Sequence, residues 1–209
     1  MTLHAEIHPE AVDGSRKGSS VRGPAGDGVP TGASACIQCA RDVLAALKVV
    51  HSEGFAHLDV IPANVIHCTR PQDSYHYRLV GFGSALQAGD SVNAEGGPRA
   101  TGSPGYRAPE LFGPCTASAA CDVWSLGATM FELATGRLPF VFQGGSDAEW
   151  PTAIQGGAAQ GGAQDVLDCL AEDQRQTFDV GLARVIAKAL GKEATTRLGL
   201  RSSGISEVL

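Results

Sequence analysis

The chain has 209 residues, enough for one domain with a sizeable core. Its formal charge of −6 argues against a nucleic-acid-binding surface, which needs clustered Lys and Arg to neutralise phosphates. No apolar run approaches the roughly 18 residues of a membrane helix, and the N-terminus lacks the apolar core of a signal peptide.

Residues 1–34 are rich in Gly, Ser, Pro and charge without apolar periodicity, which predicts a disordered tail. From Ala35 the pattern changes. Ile37, Ala40, Val43, Leu44, Leu47 and Val50 recur at helical spacing, predicting an amphipathic helix to about Ser52 that Gly54 ends. Cys36 and Cys39 form a C-x-x-C at the start of this helix, with no second pair at zinc-finger spacing. The six cysteines therefore read as free, reduced thiols. The six histidines form no ligand cluster, and His4, His8, His67 and His76 are expected to face solvent.

Val65 to Cys68 and His76 to Val80 predict two short strands around a turn at Arg70-Pro71-Gln72-Asp73. Residues 84–107 are Gly- and Ser-rich and read as a mobile segment. A helix is expected from about Ala119 to Thr135, with Trp124, Leu126, Phe131, Leu133 and Phe140 as core. Residues 141–164 read as loop, and helices are expected near 165–172 and 178–191. Residues 201–209 close the chain as a tail, and no internal repeat is visible.

Five motifs run through this pattern in order. They are His57-Leu58-Asp59-Val60-Ile61-Pro62-Ala63-Asn64, Gly81-Phe82-Gly83, Thr101 through Glu110, Cys121-Asp122-Val123-Trp124-Ser125-Leu126-Gly127, and Lys188 through Arg197-Leu198. Over roughly residues 35–200 the sequence resembles eukaryotic serine/threonine protein kinases. The first motif is similar to the catalytic loop H-R-D-L-K-P-x-N, and the second stands where the family carries D-F-G. Ala108-Pro109-Glu110 matches A-P-E, and the fourth motif matches the start of the family's central helix. The fold this implies is mainly α: a kinase-like C-terminal helical lobe with a short β-hairpin. Residues 1–34 show no Gly-rich phosphate loop or strand lysine, so the N-lobe is expected to be missing.

The resemblance also assigns roles. Asp59 stands at the position of the catalytic base, and Asn64 at that of the second magnesium ligand. The bland reading has Asp59 capping loop amides and Asn64 bonding within the loop nearby. Gly81 replaces the carboxylate that holds magnesium against ATP, Ile61 the lysine that meets the transferred phosphoryl group, and Leu58 the arginine that reads an activation-loop phosphate. The structural positions are better kept. His57 and Phe82 fall on the apolar spine, and Ser103 stands where a hydroxyl bonds the catalytic Asp. Asp122 matches the carboxylate that caps the loop backbone, while Glu110 and Arg197 match a buried ion pair.

The leading reading is a catalytically impaired pseudokinase acting as a binding or scaffolding module in the cytoplasm, with no cofactor. The enzyme alternative is a truncated representative of a genuine kinase, which would use ATP and magnesium. A decaying gene product without a stable fold is a third. Without an N-lobe, His57, Phe82, Leu79 and Val65 would meet solvent, so a protein partner covering that face is expected. Nucleic acid and membrane are not expected partners.

Overall fold

The structure is a computed structural model that describes residues 33–68, 76–92, 102–140, 154, 167–168, 179–197, 200–201 and 204–205. The turn expected at 70–73, most of the expected loop at 141–164, and most of the helix expected near 165–172 lie outside the described residues. Three α-helices carry most of the regular structure: α1 (Ala33–Ser52), α2 (Ala119–Thr135) and α3 (Val180–Ala189). Short antiparallel strand pairs lie between them and after α3.

Helix α1 starts two residues before the expected boundary, so residues 33–34 belong to it rather than to the tail. Its buried face runs Cys36, Cys39, Ala40, Val43, Leu44 and Leu47, a stripe at three- and four-residue spacing. That face packs against α2 and against the hairpin of β2 (Val65–His67) and β3 (Tyr77–Leu79). In the hairpin Val65 stands opposite Leu79 and His67 opposite Tyr77.

Helix α2 is buried along nearly its whole length, from Ala120 to Glu132. Trp124 is fully buried, stacks on Phe140 with ring centroids 5.4 Å apart, and lies under the Arg197 guanidinium at 5.0 Å. Leu126, Phe131 and Phe140 are core as well, whereas Leu133 is half-buried. Helix α3 packs against α2, and Gly127 permits the approach: a Cβ there would lie 2.8 Å from that of Ala189. Asp179 caps α3 by accepting a hydrogen bond from the Leu182 amide at 2.7 Å, the usual use of Asp before an apolar helical repeat.

The expected mobile segment is pinned at its start. Strand β1 (Phe55–Ala56) pairs with β4 (Leu86–Gln87), and β5 (Ser91–Val92) pairs with β6 (Cys115–Thr116). At the start of the expected C-terminal tail of residues 201–209, β7 (Leu200–Arg201), which straddles that boundary, pairs with β8 (Gly204–Ile205).

The expectation of an exposed apolar face is corrected. His57 and Val65 are fully buried and Leu79 is 8 % exposed; only Phe82, at 52 %, meets solvent. The reason is local packing. Val65 and Leu79 are cross-strand partners on the hairpin face turned to α1, and His57 lies beneath the Phe82 ring. His67 is likewise half-buried, tilted against Tyr77 at 5.1 Å, while His76 is exposed.

Candidate functional site

The segment 57–64 is held from below by one carboxylate. Asp122, in the first turn of α2 and fully buried, accepts the His57 amide at 2.8 Å and the Leu58 amide at 2.7 Å. The same carboxylate accepts from His51 Nε2, in the last turn of α1, at 2.7 Å. Leu58 sits at φ +62, a left-handed conformation that costs a non-glycine residue free energy, and Asp122 holds it there. Its side chain is buried in the core, so the residue in the arginine position serves packing. The His57 imidazole meets the Val80 carbonyl through Nε2 at 3.0 Å and accepts the Asp59 amide on Nδ1 at 3.2 Å. Phe82 covers it edge-on, with centroids 4.7 Å apart.

Asp59 is half-buried and meets donors of the chain itself. The Ser103 amide donates to Oδ1 at 3.2 Å, and Asn64 Nδ2 donates to Oδ2 at 2.8 Å and to the Asp59 carbonyl at 2.8 Å. Ser103 thus reaches Asp59 through its backbone rather than through the hydroxyl that the resemblance implied. Gly102, at φ +86, lets the segment come this close, since a Cβ there would stand 2.5 Å from the Leu58 carbonyl oxygen.

Gly81, at φ +84 and ψ +43, stands on the other side of Asn64. A magnesium ion prefers near-octahedral oxygen ligands that include carboxylates. Here position 81 has no side chain and Asn64 turns its amide nitrogen to Asp59. No group of three His, Cys, Asp or Glu suited to a metal ion occurs among the described residues. Position 81 thus brings no carboxylate to the side of Asn64.

Beyond this centre, Glu110 and Arg197 form a two-armed pair. Nη1 lies 2.6 Å from Oε1 and Nη2 lies 2.7 Å from Oε2. Cys121 Sγ is 3.6 Å from the same Oε1, and burial pushes its thiol up to about 12.

Several anchoring residues escaped the sequence reading. Asp42 on α1 accepts the His76 and Tyr77 amides at 2.8 and 2.9 Å and tethers the hairpin to the helix. A carboxylate between Cys39 and Val43 on the buried stripe was the available signal. Thr129 of α2 donates to the Val60 carbonyl at 2.9 Å. Tyr106 donates to Glu132, and burial beside that carboxylate raises the Tyr106 pKa. His51 carried no signal beyond its place at a helix C-terminus.

A protein kinase domain model matches residues 26–204. The chain is 29 % identical over 178 residues to MAP kinase-interacting serine/threonine-protein kinase 2 of Xenopus laevis, covering 76 % of this chain and 37 % of that protein. It is 33 % identical over 103 residues to 3-phosphoinositide-dependent protein kinase B of Dictyostelium discoideum, covering 48 % of this chain and 11 % of that one. The chain thus spans well under half the length of either relative. With the family model matching most of its length and the site residues held as described, the chain belongs to the protein kinase domain family.

Proposed function

We propose that this kinase-family chain is catalytically impaired and serves as a binding or scaffolding module. The observation that carries the reading is the set of side chains around the half-buried Asp59. Both of its carboxylate oxygens take donors from the chain itself, from Ser103 and Asn64. Each oxygen keeps a second lone pair, so what the site lacks is not a base but the metal ligands and the cation that a phosphoryl donor needs. Gly81, Ile61 and Leu58 offer none of these. A protein partner in the cytoplasm is part of the proposal, with Phe82 as the apolar contact, since it alone of the four expected residues is exposed.

The test is a melt with and without magnesium–ATP. A ligand that binds only the folded state at 100 times its Kd adds about 2.7 kcal/mol. For a domain near this size that is roughly 5–10 °C in Tm. No shift is expected, and a reproducible magnesium-dependent rise overturns the reading.

The second reading is a serine/threonine kinase represented here only in part. It draws on the two relatives, both named as protein kinases, and on Asp59 and Asn64 at the family's positions. Reading the DNA upstream of Met1 discriminates the two. An in-frame Gly-rich loop followed by a strand lysine favours the kinase.

A further inference from the structure

We infer that the junction of the three helices is a docking groove for an acidic segment of another protein, which inserts one aliphatic side chain. The groove starts from small residues. Ala40 of α1, Gly127 of α2 and Ala189 of α3 meet there, and side chains this short leave space that larger ones would fill. The space is about 340 Å³, part of it open to solvent, and its lining is apolar. Ile186 is fully buried in it, while Leu44, at 9 %, and the half-buried Val185 are its more exposed walls. With part of that volume already solvent, the room suits a single aliphatic anchor rather than a long acyl chain.

The charges beside the groove define the rest of the occupant. Arg41 follows Ala40 and Lys48 stands one turn beyond Leu44, while Arg184 precedes Val185 and Lys188 precedes Ala189. All four are exposed, and none has a side-chain hydrogen bond or ion pair among the described residues. The other described Arg and Lys side chains, Arg78, Arg107, Arg137, Lys192 and Arg197, do have partners. Helices α1 and α3 carry one acid between them, Asp42, which is buried and taken up by the hairpin amides. Glu53 and Asp179 lie beyond the helix ends. An apolar slot with unpaired cations on both flanking helices selects an apolar anchor with carboxylates around it. The inference uses no residue of 57–64 or 81–83, so it goes beyond the impaired reading and stands whether or not Asp59 catalyses.

The test pans a phage-displayed random peptide library on the full chain and measures the best synthetic peptide by fluorescence anisotropy. Enriched peptides should share one Leu or Ile flanked by Asp or Glu. Affinity should weaken as salt rises and fall about tenfold in the double variant Lys48→Glu with Lys188→Glu. Both side chains are exposed and unpaired, so that variant should melt with the parent. A reading free of variants comes from NMR of the parent, in which the methyl signals of Leu44 and Val185 should shift when the peptide is added. Peptides without an acidic bias, no enrichment, unchanged affinity in the double variant, or shifts confined to Phe82 overturn the inference. So does self-association that the double variant abolishes, which would make the occupant a second copy of the chain. Binding of the parent to phosphatidylserine vesicles in place of any peptide overturns it as well.

Discussion

Arg197 is fully buried against Glu110, whose side chain keeps 24 % of its exposure, so the pair is asymmetric. Arg197 has further partners in the carbonyls of Gly191, Ala120 and Lys192, at 2.7, 3.0 and 3.0 Å. Glu110 can regain water more easily. Breaking a buried pair from one side costs about 3–5 kcal/mol, and the exposure of Glu110 puts its loss at the low end. Glu110→Ala should lose about 3 kcal/mol in a urea melt. Arg197→Ala should lose more, because it also strips three carbonyls and the face of Trp124. A Glu110→Ala midpoint indistinguishable from the parent would mean that the pair does not hold the two segments together.

Asp122 is expected to be the least replaceable residue of the loop. It takes two buried amides and one imidazole, and one of those amides belongs to the strained Leu58. Hydrogen bonds to a charged acceptor are worth about 1.5–3 kcal/mol each. Asp122→Asn keeps one acceptor oxygen where two are in use, so it should cost about 2–3 kcal/mol, and Asp122→Ala more. Amide hydrogen exchange reads this at residues 57 and 58. Protection there should collapse before that of α2, and unchanged protection would refute the role.

These two relationships show what was legible in the sequence. Glu110, Asp122 and Arg197 stand inside recognisable motifs, and α2 has a long apolar pattern whose ends matched the expected residues 119 and 135. Strand pairs of two residues, such as Phe55–Ala56 with Leu86–Gln87, are too short to show alternation, and the second of these strands falls in the segment expected to be mobile. Asp42 and His51 act on partners 34 to 71 residues away, which no local window reports. The burial of Val65 and Leu79 depends on the hairpin lying across α1, a contact between segments far apart in the chain. The replacement at Gly81 was plain in the sequence, but its place beside Asn64 was not.

Gly81→Asp alone should not create phosphate transfer. The new carboxylate enters a left-handed position against Asn64, and Ile61 and Leu58 remain uncorrected. Catalytic parts act as a unit, so one restored group recovers little of the lost rate. The variant should also melt below the parent by about 1–2 kcal/mol from backbone strain. The check is transfer from labelled ATP to a generic protein substrate, with Asp59→Ala as background. Transfer above that background would show that the missing carboxylate was the sole defect.

Alkaline stability should be set in part by two buried thiols. Burial pushes Cys36 and Cys121 up to about 12, from an ordinary value of 9.0. Below pH 9 the thiols are protonated in both folded and unfolded chains, and they add no pH dependence. Between 9 and 12 the unfolded chain releases the protons while the folded chain keeps them, so the unfolded state binds fewer. Stability then falls as pH rises, by up to about 1.4 kcal/mol per pH unit for each thiol, and the fall stops above the folded value. Urea midpoints should accordingly be flat from pH 7 to 8 with respect to these groups and drop from pH 9 to 10.5. Replacing Cys36 with Ala should lessen that slope by one thiol's share, while Cys121, Cys115 and Tyr106, also raised by burial, keep the remainder. In the parent at pH 8 both thiols should also resist a thiol-specific reagent until urea unfolds the chain, since the reactive thiolate is suppressed by burial. Prompt labelling of Cys36 or Cys121 in the folded parent would contradict their place in the core.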